Sequence, residues 1–148
     1  MKTFFIILAI MCNICCASQC HAQPFSTKQL TGTRWRYVVP EEAGISMWRF
    51  TKGEIETTTY YFPDRPNRSV RKYYLSKTIP TAFDFKKVGK NTKGKYLVYY
   101  IDKTGLMYYE EIVEMTPDSL KLFHKSTPGS IGGGDCYILF KRMTWKNQ

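Results

Sequence analysis

With 148 residues and a formal net charge of +10, the chain suits one domain that buries a real core. The excess of Lys and Arg attracts polyanions rather than cations. Four of the five cysteines fall within the first twenty residues, a density that would normally suggest a metal cluster or a disulfide framework.

Residues 1–22 read as a signal peptide. Lys2 supplies a positive start, Phe4 to Met11 is a continuous apolar run, and Cys20-His21-Ala22 fits the small-x-small cleavage rule. The run is too short to span a bilayer, so a retained membrane helix is not expected. Cleavage after Ala22 leaves 23–148 as the mature domain, and a cut after Ala17 is the alternative. Ala17-Ser18-Gln19 matches poorly the triplet that precedes a lipid-anchored cysteine, so anchoring at Cys20 is the lesser reading. Cys12, Cys15, Cys16 and Cys20 go with the leader, which leaves Cys136 as the one mature thiol and a mature charge of +9. An exported chain rarely meets nucleic acid. An acidic envelope polymer is the fitting polyanion, against the plainer reading that the basic residues only solvate the outer face.

Gln23 to Leu30 is an irregular or short helical lead-in. From Thr33 the chain alternates: Trp35, Tyr37 and Val39 share one face, Arg34 and Arg36 the other, as in a half-buried strand. Pro40 to Gly44 is a turn. Met47 to Phe50 is a second strand, with Trp48 and Phe50 on one side. Thr51-Lys52-Gly53-Glu54 makes a hairpin, and Ile55 to Phe62 is rich in strand-forming Thr and Tyr. Pro63 to Asn67 breaks that strand, Val70 to Ser76 is the next, and Phe83 and Phe85 alternate about Asp84. Lys90 to Gly94 is a polar loop before the apolar strand Tyr96 to Ile101. Asp102 to Gly105 turns into the long strand Leu106 to Met115. Thr116 to Ser119 turns again. Leu120 and Leu122 alternate, Ser126 to Gly134 is a Gly/Ser loop, and Cys136, Ile138 and Phe140 share a face of the last strand.

Eight of the eleven tyrosines are adjacent pairs: Tyr60-Tyr61, Tyr73-Tyr74, Tyr99-Tyr100 and Tyr108-Tyr109. Neighbours on a strand point to opposite faces, so each pair sends one ring in and one out. Short connections force antiparallel neighbours, and a meander of this kind removes its edges by closing. The expected class is therefore all-β, an antiparallel up-and-down β-barrel of eight or nine strands. Arg34, Arg36, Lys52, Lys121 and Lys141 on the outer faces disfavour a barrel set in lipid.

Leu30 to Trp35, with Gly32-Thr33-Arg34-Trp35 at its end, resembles the Leu-x-Gly-x-Trp start of the first strand of lipocalins and the wider calycin group. The likeness is to the small lipocalin-like proteins exported by bacteria, and the order of strands carries it over nearly the whole mature chain. The resemblance implies that Trp35 plugs one end of the barrel, after Gly32, with Arg142 packed across it. The later Thr-Asp-Tyr signature and the usual disulfide are absent, and Tyr99-Tyr100-Ile101-Asp102 is a faint echo of the former.

No motif points to a reaction. His124 is the single mature histidine, follows Leu120 and Leu122 inward, and lacks a Gly-x-Ser-x-Gly partner. Gly89 to Tyr96 imitates a phosphate-binding loop, but Tyr96 stands where Ser or Thr is needed and a strand follows in place of a helix. Glu110 and Glu111 face opposite sides, so they cannot form an acid/base pair. If Glu110 points inward it is a polar anchor, and a basic or tyrosine partner is expected for it. Lys72 and Arg71 pose the same question. Asn67-Arg68-Ser69 is a formal glycosylation sequon in a loop, and Asp118-Ser119-Leu120 resembles a bacterial O-glycosylation acceptor. The sequence thus predicts an exported, periplasmic or secreted binding protein, not an enzyme, without metal or cofactor. It would hold a small apolar or amphipathic ligand among Trp48, Phe50, Tyr61, Tyr74, Tyr100, Tyr108 and Glu110. The other readings are that the inward rings simply fill the barrel, or that its basic outer face docks an envelope polymer or protein.

Overall fold

The computed structural model describes residues 24–38, 45–62, 65–126 and 134–144. The expected signal peptide with both expected cleavage sites, Cys20, the expected turn at 40–44 and most of the expected Gly/Ser loop lie outside these residues.

The eight strands are β1 (Arg34–Tyr37), β2 (Ile45–Phe50), β3 (Glu54–Phe62), β4 (Arg65–Ser76), β5 (Tyr96–Ile101), β6 (Leu106–Met115), β7 (Ser119–His124) and β8 (Cys136–Arg142). Each pairs antiparallel with the next, and β1 also pairs with β8, placing Trp35 opposite Arg142 and Tyr37 opposite Phe140. The sheet is a closed up-and-down barrel, the architecture of the lipocalin and calycin type. Closure satisfies the edge groups that an open meander would expose.

A single turn of helix, α1 (Thr27–Leu30), precedes the barrel and lays Leu30 across one end. The helix is too short to hold itself together. Thr27 ties it to the β4–β5 connection, its N–H donating to the Thr92 carbonyl at 3.0 Å and its hydroxyl to the Lys90 carbonyl at 3.0 Å. Leu30, Phe50, Ile55, Leu97, Leu120 and Leu122 are fully enclosed there. We call this the plugged end. At the far end β1, β3, β5 and β7 finish and β2, β4, β6 and β8 begin.

Several expectations shift in detail. β4 begins at Arg65 and not at Val70, so Asn67 lies in a strand opposite Thr59 and not in a loop. Phe83 and Phe85 form no strand. The connection 77–95 runs over the outer wall and carries one 3-10 turn, Phe85–Lys87, capped when the Asp84 carboxylate accepts from the Lys86 N–H. It approaches closely at Gly94, where a Cβ would meet the Ser76 carbonyl carbon at 2.0 Å, so no larger residue fits. A register shift in β6 leaves Val113 between Ile112 and Glu114. That extra residue resets the alternation, and both Ile112 and Met115 contact the core.

Candidate functional site

The plugged end is closed by the residues that open β1. Gly32 takes a positive φ of 82°, which lets the chain turn from α1 into the barrel. Thr33 is buried; its hydroxyl donates to the Leu30 carbonyl and accepts from the Trp35 indole N–H at 2.7 Å. Trp35 is 1% exposed, and the Arg142 guanidinium lies 5.7 Å from its ring centroid. Arg142 is held in place by donating from Nη1 to the Pro117 carbonyl at 3.2 Å.

Toward the far end the lumen changes character. Trp48 on β2, Arg71 on β4, Tyr99 on β5, Glu110 and Tyr108 on β6 and His124 on β7 come together there. The alternation of each strand puts them inside: Arg71 shares the face of Tyr73 and Leu75, and Glu110 that of Ile112. Glu110 is 3% exposed, and both of its carboxylate oxygens lie 3.1 Å from His124 Nδ1. The Tyr99 hydroxyl donates to Oε1 of the same carboxylate at 3.1 Å. Burial raises the Glu110 carboxyl above the ordinary 4.5, against the pull of His124, Tyr99 and Arg71 in the other direction. Burial, followed by the nearby Glu110 charge, raises the Tyr99 hydroxyl, so it remains a donor.

Arg71 lies between two rings, its guanidinium carbon 5.4 Å from the Trp48 centroid and 5.2 Å from that of Tyr99. Its Nε is buried without a hydrogen-bond partner, as is the Thr57 hydroxyl. Among the described residues no carboxylate reaches Arg71 as an ion pair. Tyr108 stacks on Tyr99 at 5.6 Å and is 36% exposed, and Cys136 pairs across the strands with His124. This end of the cluster therefore meets solvent.

The predicted ligand residues fall into two groups. Trp48, Phe50, Tyr108 and Glu110 face the lumen, with Phe50 deep in the plugged end against Tyr73 at 5.3 Å. Tyr74 and Tyr100 do not. They lie on the outer wall under the connection 77–95, where Phe83 packs 5.1 Å from Tyr74 and 5.2 Å from Tyr100. Their partners in the pairs, Tyr73 and Tyr99, are the inward rings. The Tyr61 side chain lies outside what the structure describes. Glu111 and Lys72 face outward and bind Lys95 and Asp102, each at 2.8 Å. Arg71 and Tyr99 were not among the predicted site residues.

Among the described residues no three His, Cys, Asp or Glu side chains converge on a metal position, and no helix is long and apolar enough to cross a membrane. A groove on the outer wall is lined by Arg34, Arg49, Arg68 and Glu56, and a further surface cavity by Lys28, Lys52 and Lys90. No protein-family model, curated protein or solved structure matches the chain. The likeness to lipocalins therefore rests on the first-strand residues and the barrel itself.

Proposed function

We propose that the chain is an exported lipocalin-like binding protein of the periplasm or cell exterior. It holds a small amphipathic ligand in the far half of the barrel and has no reaction of its own. One observation carries this reading: a buried polar cluster of Glu110, His124, Tyr99 and Arg71 stands among Trp48 and Tyr108, above a plugged half that is apolar. A barrel that is only filled would gain nothing from a buried guanidinium nitrogen and a threonine hydroxyl with no partner, since each such group costs about 1–3 kcal/mol. A ligand with an apolar body and a polar end would cover the rings and serve those groups together.

The test is denaturing extraction of the purified protein followed by mass spectrometry. A small molecule should be released, and restoring it should raise the melting temperature. An empty extract, with no thermal shift from a panel of amphiphiles, would remove the reading.

The outer groove supports a second reading, in which an anionic envelope polymer binds across Arg34, Arg49 and Arg68. Such binding weakens steeply as salt rises. Polymer binding that is indifferent to salt would reject it.

A further inference from the structure

We propose that the lumen ligand carries one anionic acceptor group, a carboxylate or its equivalent, which binds the Arg71 guanidinium. The inference rests on the reading of the far lumen as a ligand site and goes beyond it in naming the polar end. Three observations carry it. The Arg71 Nε is buried and unserved, and among the described residues its guanidinium makes no ion pair. A nearby carboxylate is already engaged: Glu110 accepts from Tyr99 and contacts His124 through both oxygens, and no hydrogen bond or ion pair joins it to Arg71. The guanidinium carbon lies within cation–ring distance of both Trp48 and Tyr99, at 5.4 and 5.2 Å from their centroids, so aromatic walls flank the unserved donor.

A planar fork of N–H donors matches a carboxylate in a way that a single hydroxyl cannot. A cationic end group is disfavoured twice. It would meet the Arg71 charge, and the carboxylate that could receive it is taken. A neutral hydroxyl would fit, but it would accept one weaker bond. The rings of Trp48, Tyr99 and Tyr108 leave an apolar wall for the body of the molecule.

The experiment uses the protein with its leader removed and a chain-length series of simple amphiphiles: hexanoate to dodecanoate, the matching primary alcohols, and the matching alkyltrimethylammonium ions. Binding is read by calorimetry and by quenching of tryptophan fluorescence. Carboxylates should bind about tenfold to a hundredfold tighter than alcohols of equal length, the advantage of hydrogen bonds between charged partners. The ammonium ions should bind weakest. Arg71→Met keeps the apolar stem and should bring carboxylate affinity down to that of the alcohol, leaving alcohol binding in place. Arg71→Lys should retain part of the preference, because it keeps the charge and loses the fork.

If alcohols and carboxylates bind wild type equally well, the anionic end is wrong while the ligand-binding lumen stands. If no amphiphile binds at any length, the lumen reading falls and takes this inference with it. If Arg71→Met retains the full preference for carboxylates, the anion site lies elsewhere. The comparison of ligands on wild type needs no variant to fold, so a poorly folding Arg71→Met does not rescue a failed inference.

Discussion

At the plugged end, Leu30, Trp35, Phe50, Ile55, Leu122 and Phe140 are 0–1% exposed and interlock around one apolar centre. A few residues along the same strands, the lumen holds a carboxyl, an imidazole, a phenol and a guanidinium. β2 carries Phe50 and Trp48, β4 carries Leu75 and Arg71, and β7 carries Leu122 and His124. The same backbone thus supports two interiors. Burying apolar surface without polar atoms contributes stability and specifies little chemistry. Burying a charged cluster contributes recognition and is costly unless each group is served. The division teaches that mutations in the two halves should differ in kind: the plugged half should report on folding and the far half on pH and ligand.

The sharpest way to break this comparison is Phe50→Ala. It removes a fully enclosed ring that touches Trp48 and Tyr73. Unfolding in urea should show a loss of about 3–5 kcal/mol. A loss below about 1 kcal/mol would mean that the plugged half does not carry the fold.

Glu110→Gln probes the other half. A carboxyl whose folded pKa lies above its unfolded value stabilises the fold in its protonated form. Its contribution is full below the ordinary 4.5 and is lost as pH rises through the folded value. The stability of wild type relative to Glu110→Gln should therefore fall as pH climbs from about 4.5. Parallel stability curves for the two proteins would show that the buried carboxyl is not raised.

The smallest effect belongs to Arg142→Ala, where an exposed guanidinium covers Trp35 from outside. Thermal unfolding should register a loss of about 0.5–1 kcal/mol, the range of an exposed cation–ring contact. A loss as large as that of Phe50→Ala would place the plug in the arginine and not in the buried rings.

Most of the barrel was legible in the sequence, because alternation and hairpin signals are local. Trp35, Trp48, Phe50, Leu120, Leu122 and Phe140 declare their faces through charged neighbours on the other side. The tyrosine pairs do not. On β5, Leu97 and Val98 are both fully buried, and Tyr99 and Tyr100 both pack against rings. The cause is the connection 77–95, whose Phe83 and Phe85 cover the outer wall and bury both faces. Where both faces are covered, alternation carries no sign: the outward Tyr74 and Tyr100 were chosen over Tyr73 and Tyr99, whereas Tyr108, stacked on Tyr99, does face the lumen. A signal was present in Phe83-Asp84-Phe85, whose alternation was noted but whose place over Tyr74 and Tyr100 was not. Glu110 and the inward course of His124 were readable from their apolar neighbours. Their meeting with Arg71 was not, since three strands distant in sequence bring them together and the sequence offers no term for that distance.

One consequence follows from the position of Cys136. It is the only cysteine among the described residues, it is exposed, and it sits across from His124 at the rim of the polar half. A maleimide dye coupled there would stand beside the lumen without any change to the sequence. Filling of the barrel could then be followed as a change in colour or brightness on a single labelled molecule.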